Sequence, residues 1–179
     1  SHFSPAYKGE KICTLDEVLT LCKDRIDLNI ELKTNISDTG LEAGVVALIE
    51  SHDYAEHCVV AAKKPDSLKK IKSLDDSIQT IYLLPVAYGN YQNLSYIDGF
   101  SIKSSFITRK LVNHMHANGK AVYAWTVNER EDMERMFSLG IDCLITDEPV
   151  RAKEVLYSQE LNPSIAIWLE QLTHHFLSD

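Results

Sequence analysis

The chain has 179 residues, a length that one hydrophobic core can serve. With 45% hydrophobic and 25% charged residues it reads as an ordinary globular protein, which excludes wholesale disorder, and no Gly-X-Y repeat admits collagen. Lys and Arg total 18 against 26 Asp and Glu, a net charge of -8. Phosphate neutralisation needs clustered cations, so nucleic acid is not an expected partner. No apolar run reaches the roughly 18 residues of a membrane span. Ser1-His2-Phe3-Ser4-Pro5 has no apolar leader region, so no signal peptide is expected.

Strands and helices then alternate along the chain. Thr14-Leu15-Asp16-Glu17 is a capping box and opens a helix through Leu21. A strand follows over Ile26–Lys33, then a helix over Leu41–Ser51 and a strand over Cys58–Ala62. A helix over Ser67–Ser73 leads to a strand over Thr80–Val86. Ala87–Ile97, rich in Tyr, Asn and Gly, reads as a loop of functional length. Next come a strand (Asp98–Lys103), a helix (Thr108–Ala117) and, past Gly119-Lys120, a strand (Ala121–Val127). Asn128 caps a helix over Glu129–Leu139, which Gly140 closes. The last strand is Cys143–Thr146, and Pro149 sits just inside the helix Glu148–Tyr157. Such alternation predicts βαβ units and a parallel sheet. About six strands suit an open doubly wound sheet, whereas a closed (β/α)8 barrel needs eight; pattern alone favours the open sheet. Beyond Tyr157 the tail changes character. Ile165, Trp168, Leu169, Leu172 and Phe176 fall on one helical face, as in a helix docked on its own domain. The expected organisation is a domain over 1–157 and an amphipathic helical extension over 158–179.

Some chemistries have no sequence support. Cys13, Cys22, Cys58 and Cys143 form no C-x-x-C pair, and Cys58 and Cys143 read as small buried hydrophobes. The histidines are scattered without metal-ligand spacing. There is no glycine-rich phosphate loop and no nucleophile elbow.

The strand Asp27-Leu28-Asn29-Ile30-Glu31-Leu32-Lys33 is the most informative segment. Alternation puts Leu28, Ile30 and Leu32 on one face and Asn29, Glu31 and Lys33 on the other. Strands of a parallel sheet are normally buried on both faces, so a carboxylate and an ammonium at i and i+2 need a reason. One reason is a site at the strand's C-terminal end, with Glu31 on a metal and Lys33 on an anion. The other is an edge strand with a solvated face. Trp125, near the end of its strand, either walls a pocket or packs in the core. Asp147, at the end of the last strand, is either a ligand or the N-cap of the following helix, the cap being favoured.

Leu28-Asn29-Ile30-Glu31-Leu32-Lys33, Ala124-Trp125-Thr126-Val127-Asn128, Gly140-Ile141-Asp142 and Leu144-Ile145-Thr146-Asp147-Glu148-Pro149, with their spacing, resemble the glycerophosphodiester phosphodiesterase family. The opening His2-Phe3-Ser4-Pro5, Gly9-Glu10-Lys11-Ile12 and Thr14–Leu19 is similar to the segment this family places before its third barrel strand. The likeness covers 1–157. It is nearest to members fused behind a membrane domain, judging by Val86-Ala87-Tyr88-Gly89, Phe100-Ser101-Ile102 and Ser104-Ser105-Phe106. The resemblance implies an incomplete (β/α)8 barrel, the six strands being barrel strands three to eight, and so overrides the open sheet. It further implies hydrolysis of glycerophosphodiesters to glycerol 3-phosphate and an alcohol, with a divalent ion (Mg²⁺ or Ca²⁺) as cofactor.

By the same resemblance, Glu31 is a carboxylate ligand of that metal, Lys33 stabilises charge on the phosphate, and Trp125 walls the glycerol side. The family's His-Arg-Gly, Glu-x-Asp and His-Asp motifs do not occur here. The general acid and base histidines would then lie outside this chain, the metal site would be incomplete, and the chain alone would be inactive. Ala61-Ala62-Lys63-Lys64 replaces a Ser-rich strand end, and Lys103 stands where relatives carry an acid. The parent is expected at a membrane, with this chain itself soluble. A barrel lacking two strands has open edges, which predicts a homo-oligomer. The alternative is a non-catalytic α/β interaction or regulatory module on a degenerate barrel scaffold.

Overall fold

The computed structural model describes residues 9–33, 39–84 and 93–158. The chain divides into two units, Ser1–Ile81 and Tyr82–Asp179.

The first unit begins with α1 (Leu15–Cys22). The Glu17 amide donates to Thr14 Oγ1 at 3.2 Å and the Thr14 amide to Glu17 Oε2 at 2.8 Å, which completes the capping box. β1 (Leu28–Leu32) follows. It is shorter than the expected strand over 26–33 because the carbonyl of Ile26 is claimed by the hydroxyl of buried Tyr54 instead of a neighbouring strand. α2 (Leu41–Ser51) buries Val45, Val46 and Ile49 along one stripe. β2 (Cys58–Ala62) pairs with β1 in parallel, with Leu28 opposite Cys58 and Glu31 opposite Ala61. α3 (Pro65–Leu74) starts earlier than expected, since Pro65 suits the first helical turn. It buries Leu68 and Ile71, and Ser67 Oγ donates to Glu42 Oε1 of α2 at 2.7 Å. β3 (Gln79–Leu84) runs across the boundary between the units.

In the second unit, β4 (Gly99–Lys103) pairs in parallel with β5 (Ala121–Trp125), and β5 with β6 (Cys143–Leu144). Phe100, Ile102, Val122 and Ala124 are fully buried on one face of these strands. α4 (Arg109–Ala117) is capped by Thr108, whose Oγ1 accepts from the Leu111 amide at 3.2 Å. α5 (Arg130–Leu139) ends at Gly140, whose φ of 79° is the left-handed conformation that glycine adopts without strain. Residues 149–158 are helical.

Strand order equals chain order, β1-β2-β3-β4-β5-β6. A doubly wound sheet reverses its order at a switch point; consecutive strands of a (β/α)8 barrel do not. The fold is therefore α/β with six of the eight strands of such a barrel, and the open sheet favoured by pattern alone is corrected. The expected amphipathic helix over 164–176 lies outside the described residues, as does most of the loop at 87–97.

Cys58 opens β2 and is buried. Burial, reinforced by the negative charges of Asp75 and Asp27, pushes its thiol up to about 11. A thiol raised in the folded state stabilises it below the unfolded value near 8.5, and that contribution is lost as pH climbs through the folded value. Denaturation midpoints are expected to decline between pH 9 and 11, and Cys58→Ala flattens that decline. At pH 8 exposed Cys13 reacts with iodoacetamide while Cys58 does not, by mass mapping.

Candidate active site

In the first unit the candidate residues gather at the C-terminal end of β1. Leu32 is buried, while Asn29, Glu31 and Lys33 are exposed on the opposite face. Lys33 Nζ lies 3.9 Å from Glu31 Oε2, the ammonium being 81% and the carboxylate 38% exposed. An ion pair this open and this long is worth about 0–1 kcal/mol. Fold stability therefore does not account for two opposite charges here. β1 also stands first in the strand order, so its geometry satisfies the edge-strand reading and the ligand-site reading alike. Small, buried Ala61 opposite Glu31 leaves the carboxylate uncrowded.

In the second unit Trp125 ends β5, half-buried, directly opposite Lys103 of β4. Ser101 and Lys103 share a face of β4, and across from them stand Tyr123 and Trp125. Trp125 Nε1 is buried and has no hydrogen-bond partner among the described residues; the same holds for Ser101 Oγ, whose residue is fully buried. Cys143 lies opposite Tyr123 on β6. Burial raises the Tyr123 hydroxyl and the Cys143 thiol above their ordinary values, so both are neutral near pH 7. The structure thus brings Glu31 and Lys33 together within one unit and places Trp125 in the other.

Asp147 does not cap the following helix. Its carboxylate accepts from Asn128 Nδ2 at 3.0 Å, and its amide donates to Asn128 Oδ1 at 3.0 Å. Thr146 Oγ1 also donates to Asn128 Oδ1, at 3.1 Å, and Arg151 Nη1 donates to the Asn128 carbonyl at 2.6 Å. Asn128 is correspondingly not the cap of α5, a position that Glu129 holds with no side-chain bond. Asn128 instead ties the segment after β5 to the segment after β6. Two residues that read as helix caps satisfy each other, because a side chain in reach of another strand end has a better partner than the nearest helix.

Among the described histidines, His52 pairs with Asp16 at 2.9 Å, His57 with Asp27 at 3.0 Å and His116 with Asp142 at 2.8 Å. Asp142 Oδ2 also accepts from the Val122 amide at 2.7 Å. His57 immediately precedes β2, and His116 belongs to the last turn of the helix that feeds β5. Both lie at strand N-terminal ends, away from the ends that carry Glu31 and Trp125, and read as structural. Among the described residues no group of three His, Cys, Asp or Glu could hold a metal ion. Mg²⁺ and Ca²⁺ take six or more oxygen ligands. Glu31, with an ammonium as its neighbour, does not fit such an ion unaided.

Residues 1–151 match the family model described as the glycerophosphoryl diester phosphodiesterase family. A glycerophosphodiester phosphodiesterase of Caldanaerobacter subterraneus is 30% identical over 152 residues, covering 82% of this chain and 63% of the relative. One from Bacillus altitudinis is 30% identical over 149 residues, covering 79% of this chain and 61% of the relative. The chain thus spans less than two thirds of the length of these relatives. A crystal structure of a glycerophosphodiester phosphodiesterase from Parabacteroides distasonis superposes with a TM-score of 0.69 at 22% identity. It covers 82% of this chain and 64% of that one, and this likeness speaks to the fold.

Proposed function

Because the chain belongs to the glycerophosphoryl diester phosphodiesterase family, we propose that it is part of an enzyme that hydrolyses glycerophosphodiesters to glycerol 3-phosphate and an alcohol. The observation that carries this reading is the family match over 1–151, which includes a Glu31–Lys33 pair that stability does not explain. In this reading the Lys33 ammonium faces a non-bridging phosphate oxygen and steadies the charge that builds there as water adds to phosphorus. Trp125 walls the glycerol end and excludes water from it. A proton must reach the departing alcohol oxygen and another must leave the attacking water. We assign both transfers to histidines outside this chain, because His57 and His116 pair with aspartates at strand N-terminal ends and His52 pairs with Asp16 between two helices. Glu31 supplies one carboxylate where a divalent ion needs several oxygens, and the remaining ligands are assigned, like the histidines, to parts of the protein outside this chain. The parent protein is proposed to be attached to a membrane domain. No helix among the described residues is long and apolar enough to cross a membrane.

The test is hydrolysis of glycerophosphocholine, with Mg²⁺ or Ca²⁺, by this chain beside a form extended upstream to the length of its relatives. Release of glycerol 3-phosphate by the extended form alone is expected. Activity in this chain by itself would overturn the assignment of the histidines. Activity in neither would favour the second reading, a non-catalytic module.

A further inference from the structure

The ladder between β5 and β6 gives out close to Trp125. Tyr123 and Ala124 pair with Cys143 and Leu144. Two more backbone bonds extend the contact, from the Ile145 amide to the Ala124 carbonyl at 2.8 Å and from the Val127 amide to the Ile145 carbonyl at 3.0 Å. Past Val127 the described contacts between the two segments involve side chains, and the carboxamide of Asn128 makes most of them. Its Oδ1 accepts from Thr146 Oγ1 at 3.1 Å and from the Asp147 amide at 3.0 Å, and its Nδ2 donates to Asp147 Oδ2 at 3.0 Å. A reversed amide would set N–H against N–H and oxygen against carboxylate oxygen, so a single orientation satisfies the set. Thr146 Oγ1 accepts in turn from the Glu148 amide at 2.9 Å, and Arg151 Nη1 donates to the Asn128 carbonyl at 2.6 Å.

Trp125 stands three residues before this clamp. Its indole N–H has no hydrogen-bond partner among the described residues, so no polar contact of its own sets the attitude of the ring. The attitude follows from the backbone on either side. Register with β4, Trp125 opposite Lys103, holds it on one flank. Asn128 holds the chain that leaves it.

We propose that Asn128 is a positioning residue for the reaction: its carboxamide locks the segment after β5 to the segment after β6 and thereby fixes the Trp125 ring. The proposal rests on the phosphodiesterase reading and adds to it a residue that acts through another. A shift of about 1 Å in a positioned group costs as much as about 100-fold in rate.

Asn128→Asp tests this because the new carboxyl is nearly isosteric. While it keeps its proton it donates to Asp147 and accepts from Thr146 and the Asp147 amide, as the carboxamide does. Once it ionises, two carboxylates face each other at hydrogen-bond distance. Two carboxyls in contact share a proton, and the second ionisation of the pair is raised. The charged neighbours on these segments are Glu129, Glu148 and Arg151. Arg151 is already engaged by the Asn128 carbonyl and, at 3.9 Å, by Glu148 Oε2.

The upstream-extended form supplies kcat and KM for glycerophosphocholine with Mg²⁺, each variant divided by the parent at the same pH. The chain itself supplies the indole N–H resonance of Trp125, one of its two tryptophans. Measurements are made where circular dichroism shows each variant folded. Asn128→Ala is expected to lower kcat by about 10–100-fold at every pH, with KM changing less, and to shift the Trp125 indole. Asn128→Asp should stay within about twofold of the parent near about pH 5 and lose about tenfold or more near about pH 8, with the indole moving over the same range. Thr146→Val, which removes one donor to the carboxamide, should cost about fivefold. An Asn128→Asp ratio that is flat with pH overturns the proposal. So does an Asn128→Ala chain with a lower Tm, parental kcat and an unmoved indole, which is the outcome of a merely structural clamp. If neither Asn128 variant folds, parental kcat and an unmoved indole in Thr146→Val overturn it. These outcomes leave the phosphodiesterase reading intact, whereas an inactive extended parent overturns both.

Discussion

Lys33→Ala is expected to lower kcat for glycerophosphodiester hydrolysis by about 10²–10³-fold in the upstream-extended form, with the fold undisturbed. The magnitude is that of removing one preorganised group from a developing negative charge. The fold is spared because the side chain is 81% exposed and its contact with Glu31 is a 3.9 Å ion pair in open solvent, where such pairs contribute about 0–1 kcal/mol. Urea midpoints of the variant and the parent should coincide within that margin. Lys33→Arg keeps the charge but replaces a compact ammonium with a planar fork, and should recover only part of the rate. Because charge on phosphorus oxygens is greatest in the transition state, kcat should fall more than KM rises. A loss confined to KM would assign Lys33 to ground-state binding alone. Wild-type kcat in Lys33→Ala would remove it from the reaction.

Phe100→Ala is expected to destabilise the chain by about 3–5 kcal/mol, the range for truncating a buried aromatic. Phe100 is fully buried in the middle of the second unit's strands and meets Tyr82 edge-to-face with ring centroids 6.3 Å apart. Its removal forfeits the transfer term, leaves a cavity and loses that aromatic pair. Phe106 supplies the control. It is 44% exposed in the turn after β4, and Phe106→Ala should stay within about 0.5 kcal/mol. Urea unfolding reads both. A drop in midpoint at constant m-value for Phe100→Ala, with none for Phe106→Ala, is the expected pattern. Similar midpoints for the two variants would contradict the burial seen here.

The elements were legible wherever local chemistry was decisive. Thr14 and Glu17 specify their capping box within four residues, and Gly140 sits where only a left-handed terminator is needed. α2 and β2 have the bounds that periodicity gives them, because their apolar positions recur cleanly. Boundaries slipped where a distant partner intervened. Tyr54 takes the carbonyl of Ile26 from across 28 residues, and no local pattern encodes that. Asn128 and Asp147 resembled caps because Asn and Asp before a helix usually are caps; 19 residues apart, they find each other instead. Glu31 and Lys33 stood out because charge at alternate positions contradicts a buried strand. Ser101 gave no sign of its setting: a serine within Phe100-Ser101-Ile102 carries no signal until its burial, without a partner among the described residues, is known. The distinction between open sheet and barrel was not in the periodicity at all. It lies in strand order, which helix and strand propensities do not record.

That order has a kinetic meaning. Leu28 meets Cys58, Gly99 meets Ala121 and Tyr123 meets Cys143, separations of only 30, 22 and 20 residues. Each pairing closes a short loop containing its own helix, and loop-closure entropy grows slowly with length. Among the described residues no strand waits for a partner from the far end of the chain. Contact order is therefore low for a parallel sheet, a topology that otherwise folds slowly and exposes strand edges while it does so. Such a chain can grow by accretion, each βα segment docking on the one just completed, in the direction in which a ribosome delivers it.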